Sequence, residues 1–221
     1  MYKELYLMVD HIPQKMLIRN YTIADFEQLI EVQKLAFPPP FAADLWWTKE
    51  QIIEHVKRFS TGAICAEVNG EIIGSMTGLI IDSKQYGEQH QWSQVTDNGY
   101  IRNHNPFGDT LYVVDICVVP VYRKWGVGKW LMQSMYETVV QMRLSRLLGG
   151  GRMPGYAAKY EQFSIPPQKY VENVLSGEWT DPVISFMLRC GRMPVAIAEN
   201  YLDDEESRHH AVIMEWRNPF M

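Results

Sequence analysis

A single mixed α/β domain carrying two insertions is the fold class this sequence predicts, and three observations predict it. Segments of β-rich apolar residues alternate with segments whose apolar residues recur at helical spacing. Asn69-Gly70 joins two of the β-rich segments with the residue pair that a tight hairpin turn demands. Residues 111–119, Leu-Tyr-Val-Val-Asp-Ile-Cys-Val-Val, are nearly continuous in apolar residues, as a strand buried on both faces would be.

The elements follow in order. Residues 16–19 form a short first strand. Thr22 with Asp25, and Thr48 with Gln51, have the spacing of capping boxes and open two helices, the first ended by Pro38-Pro-Pro40. Residues 62–68 and 71–81 are the two arms of the hairpin. Residues 82–109 are polar, hold Tyr86, Trp92, Tyr100 and Phe107, and show no period, so they read as a functional insertion. After the central strand, Pro120 breaks the run, and Val127, Leu131, Met135, Val139 and Met142 mark one helix face. Residues 146–150 are a short strand. Residues 152–179 form a second insertion with a helix over 167–175. Asp181-Pro182 starts another helix and Gly191 stops it. Strands at 193–198 and 211–216, with the acidic loop Asp203-Asp-Glu-Glu206 between them, close the domain, whose core spans about 16–217 of 1–221.

Composition excludes several classes. The chain has 221 residues, a net charge of -5 and no long basic run, so nucleic acid is not an expected partner. Cys65, Cys117 and Cys190 lie in apolar sequence without a C-x-x-C pair, which predicts free thiols in a reducing compartment. The N-terminal residues lack the apolar core of a signal peptide, and no apolar stretch is long enough to span a bilayer. A cytoplasmic protein without membrane contact is the expectation. His209-His210 have no third ligand at metal spacing, and no metal site is expected.

The chemistry concentrates where the central strand meets the next helix. Arg123, Lys124, Trp125, Gly126, Val127 and Gly128 form that junction. A helix N-terminus leaves amide N–H groups unpaired and partly positive, and glycines let an anion approach them. The combination predicts a cradle for a phosphate or pyrophosphate, with Arg123 and Lys124 adding charge. The plain alternative is a tight strand-to-helix turn. A nucleoside-triphosphate loop is excluded because its Gly-Lys-Ser/Thr ending is missing, and a dinucleotide loop because Leu131 stands where its third glycine should be.

The string Asp115-Ile-Cys-Val-Val-Pro-Val-Tyr-Arg-Lys-Trp-Gly-Val-Gly128 resembles the central motif of GNAT acetyltransferases, and the element order resembles their fold. Residues 150–156, the Asp181-Pro182 helix and Met214-Glu-Trp216 further resemble the GNAT domains attached to carbon–nitrogen hydrolases. The resemblance implies a central mixed, mainly antiparallel sheet flanked by helices, with acetyl-CoA as co-substrate. It places the pantetheine arm against the backbone of Cys117, Val118 and Val119. It puts the pyrophosphate on the amides from Arg123 to Gly128 and Lys129, with Phe186 and Arg189 flanking the cofactor. The acceptor would be a small-molecule amine or a peptide amine, and a homodimer is a family-level expectation.

Acyl transfer to an amine poses two proton problems: the ammonium must lose a proton before attack, and the departing thiolate must gain one. Asp115, a carboxylate inside an apolar strand, is the leading base, with Glu67 behind it. The family pattern has a tyrosine four residues before the glycine that ends the last helix. Here that residue is Met187. Tyr156 is the replacement acid expected from the sequence, ahead of Tyr122 and Tyr201. His90 and His104 read either as surface histidines or as lining of an acceptor pocket, and Trp46-Trp47 either as its cover or as core. Met187 leaves open a second reading, a weak or inactive acetyl-CoA-binding module.

Overall fold

Residues 1–87 and 89–221 are described in a computed structural model. Eight strands form one sheet: β1 (Tyr2–Val9), β2 (Ile12–Asn20), β3 (Ala63–Val68), β4 (Glu71–Ile81), β5 (Thr110–Val118), β6 (Arg146–Arg152), β7 (Met193–Ala198) and β8 (Ala211–Arg217). Their spatial order is β1-β2-β3-β4-β5-β6-β8-β7. Every pairing is antiparallel except β5 with β6. The helices are α1 (Phe26–Ala36), α2 (Lys49–Phe59), α3 (Trp92–Thr96), α4 (Val127–Gln141), α5 (Tyr156–Phe163), α6 (Pro167–Leu175) and α7 (Pro182–Arg189). The mixed, mainly antiparallel sheet with flanking helices is the fold the sequence predicts. No helix among the described residues is long and apolar enough to cross a membrane.

The N-terminus departs from expectation. Residues 2–9 are a strand, and β2 begins at Ile12 rather than at Met16. Asp10 and His11 turn the hairpin with φ of 49° and 66°, a turn that lacks the Asn-Gly signature. Tyr2, Glu4, Tyr6 and Met8 face solvent while Leu7 is buried, an alternation the sequence hides because apolar residues stand on both faces of this edge strand.

Local signals were obeyed elsewhere. Thr48 and Gln51 cap α2 reciprocally, with bonds of 2.7 and 3.2 Å. Thr22 and Asp25 pair as expected, but they cap a 3₁₀ turn that precedes α1. Asp181 is fully buried and accepts from the amides of Val183 and Ile184, both at 2.9 Å, fixing the start of α7. The same carboxylate takes the Tyr170 hydroxyl at 2.7 Å and the Gly155 amide at 3.2 Å, which ties the second insertion to α7. That insertion holds α5 as well as the expected helix α6. The first insertion holds α3, too short for its period to be read.

Two buried groups have consequences for stability. The Arg192 guanidinium, fully enclosed, donates to the carbonyls of Gly149 and Met214 and so clips β6 to β8. His55, also fully enclosed, has Nε2 at 2.6 Å from the Gly99 carbonyl and Nδ1 at 2.9 Å from the Tyr21 hydroxyl. Burial pushes the His55 pKa down from 6.5 to about 4. The unfolded chain therefore binds the extra proton first, and the stability that neutral His55 contributes is complete above pH 6.5 and drains as the pH falls toward 4. At about 1.4 kcal/mol per unit this amounts to about 3 kcal/mol. Denaturant melts of His55→Gln across that range are expected to show a shallower fall than wild type; parallel slopes would rule out this linkage.

Candidate active site

The site grows from two irregularities in β5. The first is a bulge. Thr77 pairs with Asp115 and Gly78 with Val113, so Val114 has no partner on β4. A bulge re-aims the residues beside it, and here Val113, Val114, Asp115 and Ile116 all line one cavity. Trp92 of the first insertion locks the bulge by donating its indole N–H to the Val114 carbonyl at 3.0 Å.

The second irregularity is a splay. β5 and β6 pair only from Thr110↔Arg146 to Tyr112↔Leu148. Beyond that point β6 pairs with β8 alone, and residues 113–118 of β5 keep an unpaired edge toward β6. Such an edge offers backbone N–H and C=O groups to an added strand. Cys117 and Val118 lie on it, with Val119 just past its end, in register with the expectation that an amide-bearing arm binds there. The Cys117 thiol points into the interior, 3.3 Å from the Ser75 hydroxyl.

A six-residue 3₁₀ turn, Pro120–Trp125, leads from β5 to Gly126, whose φ of 81° is left-handed. A Cβ there would meet nothing within 4 Å, so the outer side of the loop is open while the backbone shape itself calls for glycine. Trp130 donates the first hydrogen bond of α4 to the Gly126 carbonyl. The amides of Val127, Gly128 and Lys129 precede it without a partner four residues back. The loop thus has the form of an anion cradle.

Three residues of this region make contacts within the protein that local sequence does not foretell. Gly128 is small because the Phe186 ring lies against it: a Cβ would sit 3.1 Å from that ring. Phe186 accordingly packs α7 on the first turn of α4. The Arg123 guanidinium holds the Val118 and Ala36 carbonyls at 3.2 and 2.9 Å, bracing the loop against α1, so its side chain is committed to protein. Lys124, Lys129 and Arg189 remain exposed, and Trp125 packs edge-on to Tyr122 at 4.7 Å.

At the mouth of the splay lies a cavity of about 130 Å³. Phe37, Phe41, Trp47 and Trp92 give it an aromatic wall, Met187 closes it from α7, and Asp115, Arg152 and Tyr201 are its principal polar groups. Asp115 is partly exposed to this space. Its carboxyl is pushed up from 3.8 to about 6 by desolvation, against which the Gln33 amide at 3.4 Å and the Cys117 thiol act only weakly. Arg152 does not relieve it, being held bidentately by Asp204 at 2.7 and 2.6 Å and by Glu206 at 2.8 Å.

The remaining candidates separate cleanly. Glu67 is paired with Arg19 at 2.8 Å, which Asp25 also grips, and it does not line the cavity. Tyr156 does not line it either: it is buried among Tyr160, Tyr170 and His210, and its hydroxyl donates to the Ile165 carbonyl at 3.1 Å. The acid role expected of Tyr156 is withdrawn, because α5 turns its aromatic face into a second small core. Tyr201, ranked below it from sequence, is the tyrosine that lines the cavity. Trp47 is buried, lines the cavity and stacks on Trp92 at 6.2 Å. His90 is buried rather than superficial, and His104 is half-buried against Phe59 at 4.6 Å. Gly149-Gly-Gly151 had no sequence rationale; the Tyr201 ring rests on Gly150, where a Cβ would lie 2.3 Å from it.

Comparison with known proteins agrees with this geometry. The model of the Acetyltransferase (GNAT) family matches residues 26–151. A relative described as an uncharacterized N-acetyltransferase, YkwB of Bacillus subtilis (strain 168), is 52% identical over 218 residues, spanning 99% of this chain and 96% of its own. The probable hydrolase YhcX of the same organism is 38% identical over 206 residues, which cover 93% of this chain but 39% of YhcX. That match supports the resemblance to hydrolase-associated GNAT domains. Among solved structures, the loading GNATL domain of CurA from Lyngbya majuscula has a TM-score of 0.77 at 19% identity, covering 93% of this chain and 99% of its own. The GphF GNAT-like decarboxylase in complex with isobutyryl-CoA has 0.75 at 18%, with 91% and 98% covered. At such identities these two share the fold. From the family match over more than half its length and a full-length relative at 52% identity, the chain belongs to the GNAT acetyltransferase family.

Proposed function

We propose that this chain transfers the acetyl group of acetyl-CoA to a primary amine. The observation that carries the reading is Asp115, a desolvated carboxylate set by a β-bulge at the mouth of the β5–β6 splay, on the strand that leads into a glycine-shaped anion cradle. The open edge of β5 would take the pantetheine arm, and the amides of Val127, Gly128 and Lys129 the pyrophosphate. On this reading the thioester would lie near the bulge. Asp115, with a pKa near 6, is mostly ionised at neutral pH yet basic enough to take a proton from an incoming ammonium. The aromatic walls favour an amine with an apolar body.

Binding and turnover are tested separately. Acetyl-CoA at 100 times its dissociation constant should stabilise the protein by roughly 2.7 kcal/mol. Gly126→Val places a branched side chain at φ of 81° and in the cradle, and the acetyl-CoA-dependent rise in Tm should vanish. A retained rise would remove the loop from the binding site. Thiol release is then followed across an amine panel with acetyl-CoA and, because a protein of the same fold holds that ligand, isobutyryl-CoA. Met187, an acid-incompetent residue on the cavity wall, favours the second reading of a coenzyme-A-thioester-binding module. Binding without release for every amine would decide for it.

A further inference from the structure

We propose that Tyr201, Tyr112 and His90 form a proton relay that takes the attacking amine's proton at the cavity and returns it to the departing coenzyme A sulfur. This rests on the acyl-transfer reading above and supplies the acid that Met187 cannot. The three groups make a continuous buried chain. The Tyr201 and Tyr112 hydroxyl oxygens are 2.8 Å apart, Tyr112 is 2.8 Å from Nε2 of His90, and Nδ1 of His90 is 2.7 Å from the Gly87 carbonyl. All three side chains are more than nine-tenths buried, and Tyr201 is the one that lines the cavity.

The direction of the chain follows from its last contact. A carbonyl only accepts, so Nδ1 of His90 must carry hydrogen. In a neutral imidazole Nε2 is then bare and must accept from Tyr112, whose oxygen in turn accepts from Tyr201. Tyr201 consequently turns its proton inward and offers the cavity an oxygen lone pair. If His90 gains a proton, the bond to Gly87 stays as it is, the two bonds that join His90, Tyr112 and Tyr201 reverse, and Tyr201 turns its O–H toward the cavity. One chain therefore presents an acceptor in one state and a donor in the other.

The chemistry balances. Asp115 takes the first proton of the ammonium. The amine nitrogen bonds to the thioester carbon, and its second proton passes to Tyr201 as Tyr201 protonates Tyr112 and Tyr112 protonates His90. The C–S bond breaks, the sulfur leaves with the electron pair, and the chain runs backward to protonate it. His90 ends neutral, Asp115 gives the first proton up to solvent, and no oxidant or reductant is involved. Burial lowers the His90 pKa, which sets the resting state as the acceptor one. The groups facing the chain include the Gly87 carbonyl on the first insertion, the Gly150 backbone N–H at the oxygens of both tyrosines, and Arg192, whose positive charge, like that N–H, favours ionised Tyr112 and Tyr201.

A second buried chain provides a contrast. His55, Tyr21 and Thr77 are linked at 2.9 and 2.8 Å, but none of them lines the cavity, so that chain has no substrate end.

Nitrogen-15 NMR of the wild-type protein at pH 7, with the His90 signals assigned by their loss in His90→Gln, reads the geometry without turnover. The expected result is a neutral His90 carrying its proton on Nδ1; a proton on Nε2 overturns the relay. Steady-state thiol release from acetyl-CoA is measured with whichever panel amine the wild type accepts. His90→Gln and Tyr201→Phe should each lower kcat by ~10-fold to 10²-fold with KM little changed. His90→Gln should also lose one limb of the pH–kcat profile, which a purely structural histidine would not control. Wild-type turnover that survives both substitutions undiminished sinks the relay alone. Absence of wild-type turnover with every amine sinks the transfer reading on which it rests, and the tautomer then shows whether the chain itself was read correctly.

Discussion

Asp115→Asn is expected to lower kcat for acyl transfer by ~10²-fold or more while raising the melting temperature at pH 7. The two effects have one cause. The carboxylate sits on a bulged strand with no cation to offset its desolvation, so its folded pKa is about 6 against 3.8. The folded state then holds a proton that the unfolded chain has already released, and ionised Asp115 opposes folding increasingly as pH rises from 3.8 to 6. At about 1.4 kcal/mol per unit the opposition approaches 3 kcal/mol, and it is smaller to the extent that water in the cavity screens the charge. Asparagine keeps the shape and can still accept from Gln33, but it carries no charge and takes no proton. Wild-type kcat should climb through pH 6, and the variant should lose that limb. Loss of activity together with loss of stability would mark Asp115 as a structural group instead.

How much of this was legible in the sequence differs by the range of the forces involved. Asp181, Thr48 with Gln51, and Asn69-Gly70 act within a few residues, and each formed the feature its spacing predicts. The 123–128 loop was legible for the same reason, since a strand, a turn glycine and a helix start are local. The bracing role of the Arg123 side chain is not legible, because its partners, Val118 and Ala36, come together only after α1 folds onto β5. That Tyr201 lines the cavity and Tyr156 does not is hidden for a similar reason. Nothing near either tyrosine tells which way it faces; the sheet order, which sets β8 beside β6 with β7 outside it, decides it. His90 lay in a stretch without periodicity, and only its contact with Tyr112, 22 residues away, shows that it is interior. The three glycines of β6 carried a signal that sequence reasoning left unused, because a run of glycine in a strand marks close approach by a neighbour.

Asp181→Ala should be the most damaging single change outside the cavity, because one carboxylate satisfies four donors. The Val183 and Ile184 amides lose their cap, which alone is worth about 1 kcal/mol. The Tyr170 hydroxyl, buried, is left without its acceptor, at about 1–3 kcal/mol, and the Gly155 amide loses its own. The sum is roughly 4 kcal/mol, which for a chain of this size lowers Tm by about 8–16 °C. Asp181→Asn keeps an acceptor oxygen for the cap and should recover about half of the loss. Calorimetry decides: a fall of under about 2 kcal/mol for the alanine variant would mean that water replaces the carboxylate. The consequence also reaches the cavity. α7 carries Val183 and Met187 onto its wall, and Phe186 against Gly128 at the cradle. Fraying the first turn of α7 loosens the cavity and the cradle together, so the variant should bind acetyl-CoA more weakly even below its own melting range. A helix cap at the end of the second insertion is in this way joined to both halves of the site.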